Sequence, residues 1–138
     1  MLLENKRIFV VEDDVRNLAL TSVYLRQHGA LISHERWGLE TPQMILNYMP
    51  VDVILMDLMF PNNISGFDIF DQIRQVKQLA HIPVVIVSSA DPDKVVPIAL
   101  EKGFAGFIGK PISNRIGKYL VSIMEGKKIW ITHDLVEY

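Results

Sequence analysis

Short runs of consecutive apolar residues recur along the chain, and stretches with a helical spacing of apolar positions separate them. The runs Ile8-Phe9-Val10-Val11, Val53-Ile54-Leu55-Met56 and Val84-Val85-Ile86-Val87 are apolar at every position rather than at every second one. Strands of that kind are buried on both faces, as in a parallel sheet covered by helices. Ala30 to His34 and Phe104 to Ile108 supply two further strands. Between them, Asp14 can cap a helix from about Val15 to His28, which Gly29 ends. Thr41-Pro42 opens a second helix running to about Met49, and Phe67 to about Val76 forms a third. Asp91-Pro92-Asp93 opens a fourth that Gly103 closes, and Ser113 caps a fifth that ends near Glu125-Gly126. Five strands alternating with five helices predict a doubly wound α/β fold; of the common orders of such parallel sheets, 2-1-3-4-5 is the one expected.

Three acidic residues stand where strands end. Glu12 and Asp13 follow the first strand and Asp57 follows the third. In open α/β sheets the carboxyl edge of the strands carries the site. Clustered carboxylates repel one another and lose hydration there, so a divalent cation is the usual reason to collect them. Ser88 ends the fourth strand and Lys110 the fifth. An acid pair, an acid, a hydroxyl and a lysine at successive strand ends suit Mg²⁺-assisted phosphoryl transfer to a carboxylate nucleophile. In that chemistry Asp57 attacks phosphorus, Lys110 pairs with phosphoryl oxygens, and the Ser88 hydroxyl donates to one of them.

Composition narrows the picture further. With 138 residues, 49% hydrophobic and 22% charged, the chain has the material of one globular domain. A net charge of −2 and the lack of any basic stripe argue against nucleic acid as a partner. The absence of cysteine excludes thiolate chemistry and Cys-ligated zinc. His28, His34, His81 and His133 show no metal-ligand spacing. No stretch suits a bilayer span or a signal peptide, so no membrane partner and a cytoplasmic location are expected.

On the residues Val10-Val11-Glu12-Asp13-Asp14, Ile54-Leu55-Met56-Asp57-Leu58-Met59, Pro61, Gly66, 82–90 and Gly109-Lys110-Pro111, the chain resembles the receiver domains of two-component response regulators. The likeness covers roughly Arg7 to Glu125 and is greatest to stand-alone receivers of the chemotaxis and cell-cycle type. It implies Asp57 as phospho-acceptor and Glu12, Asp13, Asp57 and the Met59 backbone carbonyl as Mg²⁺ ligands. It also implies Lys110 as phosphate partner, ahead of a cis peptide to Pro111. Ser88 and Phe107 become the switch pair that alters the surface of helix four, strand five and helix five. The implied partners are a histidine kinase or phosphotransfer protein of a phosphorelay and a downstream protein target.

Two features depart from that pattern. Gly66 stands nine positions after Asp57, one more than is usual, so the intervening loop is expected to be one residue long. The receiver unit is expected to occupy residues 1–125, with 126–138 a short extension carrying no output domain. Ile129-Trp130-Ile131 and Leu135-Val136 make that extension apolar for a free tail. Folding back on its own domain and packing against a partner, including a second copy in a homodimer, both fit the pattern.

Overall fold

The computed structural model describes residues 1–132. Six parallel strands form one sheet in the order β2-β1-β3-β4-β5-β6: β1 (Arg7–Val11), β2 (Leu31–Glu35), β3 (Val53–Met56), β4 (Val84–Ser88), β5 (Gly106–Gly109) and β6 (Ile129–Ile131). Five helices cover its faces: α1 (Val15–Gln27), α2 (Thr41–Asn47), α3 (Gly66–Gln75), α4 (Pro92–Lys102) and α5 (Ile116–Met124). Alternate residues of each strand feed opposite cores. Phe9, Val11, Ile54, Met56, Ile86 and Phe107 join the buried face of α3 and α4. Ile8, Val10, Val53, Leu55, Val85 and Ile108 join that of α1 and α5. This two-sided burial is why the strands read as unbroken apolar runs rather than alternating ones.

The helix starts follow side-chain chemistry. Asp14 accepts from the Arg16 and Asn17 amides at the head of α1, and Asp91 accepts from Asp93 N at the head of α4. At the end of α4, Gly103 takes a left-handed φ of 97°. The expected Ser113 cap is displaced: Ser113 Oγ accepts from Arg115 N in the turn before α5, and Arg115 is the capping position. Phe104, expected at the start of the fifth strand, is instead a buried plug. Its ring stacks on Phe70 with centroids 3.9 Å apart, and the strand begins at Gly106.

The expected five-stranded sheet is corrected to six strands. Ile129, Trp130 and Ile131 pair in parallel with Gly106, Phe107 and Ile108, so this part of the extension folds back on its own domain. The β-branched and aromatic triplet matches an edge strand, with Trp130 packed on the α3–α4 side and Ile129 on the α1–α5 side. Leu135, Val136 and His133 lie outside the described residues. One consequence is that β5 presents no free edge, so the surface expected from helix four, strand five and helix five is here bounded by α4, β6 and α5.

Gly106 is what lets β6 come so close. A Cβ at this position would sit 2.3 Å from the Ile129 carbonyl oxygen, a backbone atom that cannot swing away. Gly106→Ala is therefore expected to push β6 off the sheet and leave the inner five strands standing. With Trp37 replaced by Phe, the remaining Trp130 emission should move to the red; an unshifted spectrum would mean that β6 tolerates the methyl group.

Candidate functional site

The strand ends deliver their side chains to one place. Residues 12 and 13 leave β1, Asp57 leaves β3, Ser88 closes β4 and Lys110 follows β5. Carboxylate oxygens of Glu12, Asp13 and Asp57 all lie within 4.8 Å of one another. Lys110 Nζ bridges two of them, donating to Glu12 Oε1 at 2.7 Å and to Asp57 Oδ2 at 2.9 Å. Leu58 N donates to Asp57 Oδ1 at 2.7 Å, and Asp14 N to Glu12 Oε2 at 3.3 Å. The Lys110–Pro111 peptide is cis, as the resemblance implies.

Burial shapes the electrostatics. Glu12 is only 4% exposed. Loss of solvent pushes its carboxyl up to about 7, with the Asp57 charge adding to the rise and Lys110 opposing it. For Lys110, burial favours the neutral amine, but the hydrogen bonds to Asp57 and Glu12 and their charges outweigh it and hold its pKa above the ordinary lysine value. One lysine against several crowded acids is thus a pocket short of positive charge.

A stability consequence follows from Glu12. The folded chain holds this proton more tightly than the unfolded chain, whose ordinary value is 4.5. The contribution is fully present below about 4.5 and is lost as pH rises through about 7. In metal-free buffer the stability of the wild type relative to Glu12→Gln should therefore fall across that window. Denaturant titrations at several pH values check this, and a flat difference would refute it.

Among the described residues, no hydrogen bond joins Ser88 to the acids. Ser88 Oγ accepts from Ala90 N at 3.0 Å, and Phe107, opposite Ile86 on β4, is fully buried. The loop beyond Asp57 closes in a tight turn. Asn62 and Asn63 both adopt left-handed backbone, with φ of 62° and 60°. Asparagine tolerates that conformation better than other non-glycine residues. Phe60 N reaches the Ile64 carbonyl, Met59 bridges to Ser65, and Gly66 N donates to the Leu58 carbonyl at 2.8 Å. The left-handed turn therefore lies outside the Asp57–Leu58 backbone. Met59, two residues beyond Asp57, has its residue surface 75% exposed.

Sequence reading missed the contribution of β2. Arg36, just beyond its end, donates to the Asp13 carbonyl from Nη2 at 3.2 Å and from Nε at 3.4 Å. The signal was the same rule that found the others, since Arg36 also follows the carboxyl end of a strand.

Residues 8–119 match the response regulator receiver domain family. The chain belongs to this family. Its place is in two-component signalling. Among curated relatives, the polar-differentiation response regulator DivK of Brucella ovis is 30% identical over 112 residues, covering 78% of this chain and 86% of the relative. A probable cyclic di-GMP phosphodiesterase of Vibrio cholerae is 28% identical over 106 residues; the match takes in 77% of this chain but only 23% of that protein. In fold, a response regulator from Chloroflexus aurantiacus superposes with a TM-score of 0.77 at 22% identity, over 88% of this chain and 99% of that one. The receiver domain of a sensor histidine kinase from Pseudomonas aeruginosa, solved with magnesium in its active-site cleft, gives 0.76 at 19% identity, over 89% of this chain and 99% of that one. Among the described residues, no helix of this receiver is long and apolar enough to cross a membrane.

Proposed function

We propose that this receiver acts as a cytoplasmic response regulator in which Asp57 takes a phosphoryl group from the phosphohistidine of a histidine kinase or phosphotransfer protein. The observation that carries this reading is the convergence of Glu12, Asp13 and Asp57 around Lys110 at the carboxyl edge of the sheet. In the transfer, an Asp57 carboxylate oxygen forms the new bond to phosphorus and the phosphorus–nitrogen bond to the donor imidazole breaks, leaving an aspartyl phosphate. Lys110, already bonded to Asp57 Oδ2, is placed to follow the charge onto the phosphoryl oxygens. Ser88 would turn from Ala90 N toward the new phosphoryl group, with Phe107 as the aromatic that responds.

The donor set is all oxygen, which fits Mg²⁺: Glu12, Asp13, Asp57 and the Met59 backbone carbonyl would hold it. Bound there, the ion would offset the repulsion between the acids and an incoming phosphoryl donor. The downstream protein target would meet a surface framed by α4, β6 and α5. The test is intact mass after incubation with acetyl phosphate and Mg²⁺. Uptake of one phosphoryl group, absent when the metal is chelated, is the expected result. No uptake with metal present would overturn the reading in favour of a constitutive binding module.

A further inference from the structure

The three acids are not held in the same way. Glu12 and Asp57 each have both carboxylate oxygens hydrogen-bonded, to Lys110 and to the Asp14 or Leu58 amide. No hydrogen bond reaches the Asp13 carboxylate among the described residues, so its placement depends on its backbone. The group that grips that backbone is Arg36, through two donors to the Asp13 carbonyl. Arg36 is itself braced, with its Cζ 4.5 Å from the centre of the Trp37 ring. The loop carrying both is tied down by Glu35. Its carbonyl accepts from Glu12 N, and its carboxylate accepts from Leu39 N, Glu40 N and Thr41 Oγ1 at the head of α2.

We infer that Arg36 is a positioning residue for the divalent-cation site, acting through Asp13. The inference rests on the Mg²⁺ reading above and adds a residue to it. Two effects of losing Arg36 have opposite signs. Removing a guanidinium near a cation site should by itself tighten cation binding, because like charges repel. Releasing the Asp13 backbone should loosen it, because a ligand that must be ordered on binding binds more weakly. Solvent and salt screen the first effect at this half-exposed position. Groups that orient metal ligands through hydrogen bonds are worth roughly 10- to 100-fold in affinity. The contacts to Asp13 are long, so the lower end applies.

Calorimetric titration of the full chain with Mg²⁺ tests this, on wild type, Asp13→Asn, Arg36→Ala and Arg36→Lys, with metal-free melting curves as a check on folding. Arg36→Ala should bind roughly tenfold more weakly. Arg36→Lys should fall between, since it keeps the charge and loses the two-pronged donor. Unchanged or tighter binding by Arg36→Ala would overturn the inference while leaving the cation site standing. So would a lowered melting temperature with unaltered affinity, the mark of a purely structural role. If the wild type takes up no Mg²⁺ and Asp13→Asn is indistinguishable from it, the cation site falls and this role falls with it.

Discussion

Asp57→Asn is expected to abolish phosphoryl uptake from acetyl phosphate, with no residual mass gain in Mg²⁺. The amide nitrogen's lone pair is delocalised into the carbonyl, and the remaining carbonyl oxygen is a poor nucleophile without the carboxylate charge. The fold should survive, for reasons visible in the site. Asp57 uses one oxygen for Leu58 N and the other for Lys110 Nζ, both donors. An amide can accept from only one of them, so its NH₂ must face either an N–H or an ammonium. Leaving one such group poorly satisfied costs about 1–3 kcal/mol. Against this, the substitution removes the carboxylate that helps hold Glu12 up to about 7 and relieves that repulsion. A protein folded close to wild type yet unable to take up phosphate is the expected pairing, read by intact mass and by thermal melting. Phosphoryl uptake that persists in Asp57→Asn would move the acceptor to another side chain.

The sheet and the acidic site were legible for one physical reason. Strands buried on both faces leave unbroken apolar runs, and chemistry in such folds sits at the strand ends, so Glu12, Asp13, Asp57, Ser88 and Lys110 could be found by position alone. What escaped depended on interactions without a local sequence period. Phe104 looks like the first residue of a strand, but its ring finds Phe70 before β5 begins. The helix after Lys110 starts beyond Ser113 because that hydroxyl closes a turn onto Arg115 rather than capping the helix. The triplet 129–131 is apolar enough to predict packing somewhere. Where it packs is set by the bare backbone of Gly106 more than a turn of helix and a loop away in sequence, which no local pattern encodes. Arg36 does follow the carboxyl end of a strand, but a single basic residue after a short, half-exposed strand is a weak signal, and its partner is a backbone carbonyl that no side-chain pattern announces.

Apart from Gly106→Ala, Gly66→Ala should be the most damaging of the single-methyl additions, lowering both stability and phosphoryl uptake. Gly66 opens α3, and its amide donates to the Leu58 carbonyl. A Cβ there would lie 2.1 Å from the Asp57 carbonyl oxygen, 2.9 Å from Leu58 Cα and 3.1 Å from the Asp57 carbonyl carbon. All three are backbone atoms of the segment that sets Asp57, so relief requires moving either α3 or the end of β3. Overpacking of this kind costs about 3 kcal/mol, a fall in Tm on the order of 10 °C for a chain of this size. The same displacement would carry Leu58 N away from Asp57 Oδ1, now 2.7 Å apart, and turn the carboxylate out of line with Lys110. Gly103→Ala is the matched control. That glycine has a left-handed φ of 97° and nothing within 4 Å of the added methyl, so it should cost only the backbone penalty of about 1–2 kcal/mol. It lies at the far end of α4 from the acids and should leave phosphoryl uptake unchanged. Equal losses of stability in the two variants, or full uptake by Gly66→Ala, would show that the loop beyond Asp57 yields more easily than its hydrogen bonds to Leu58 and Phe60 suggest. The turn of Asn62 and Asn63 lies away from the tight closure at Gly66, so tolerance to the methyl would have to come from the part of the loop that touches Asp57.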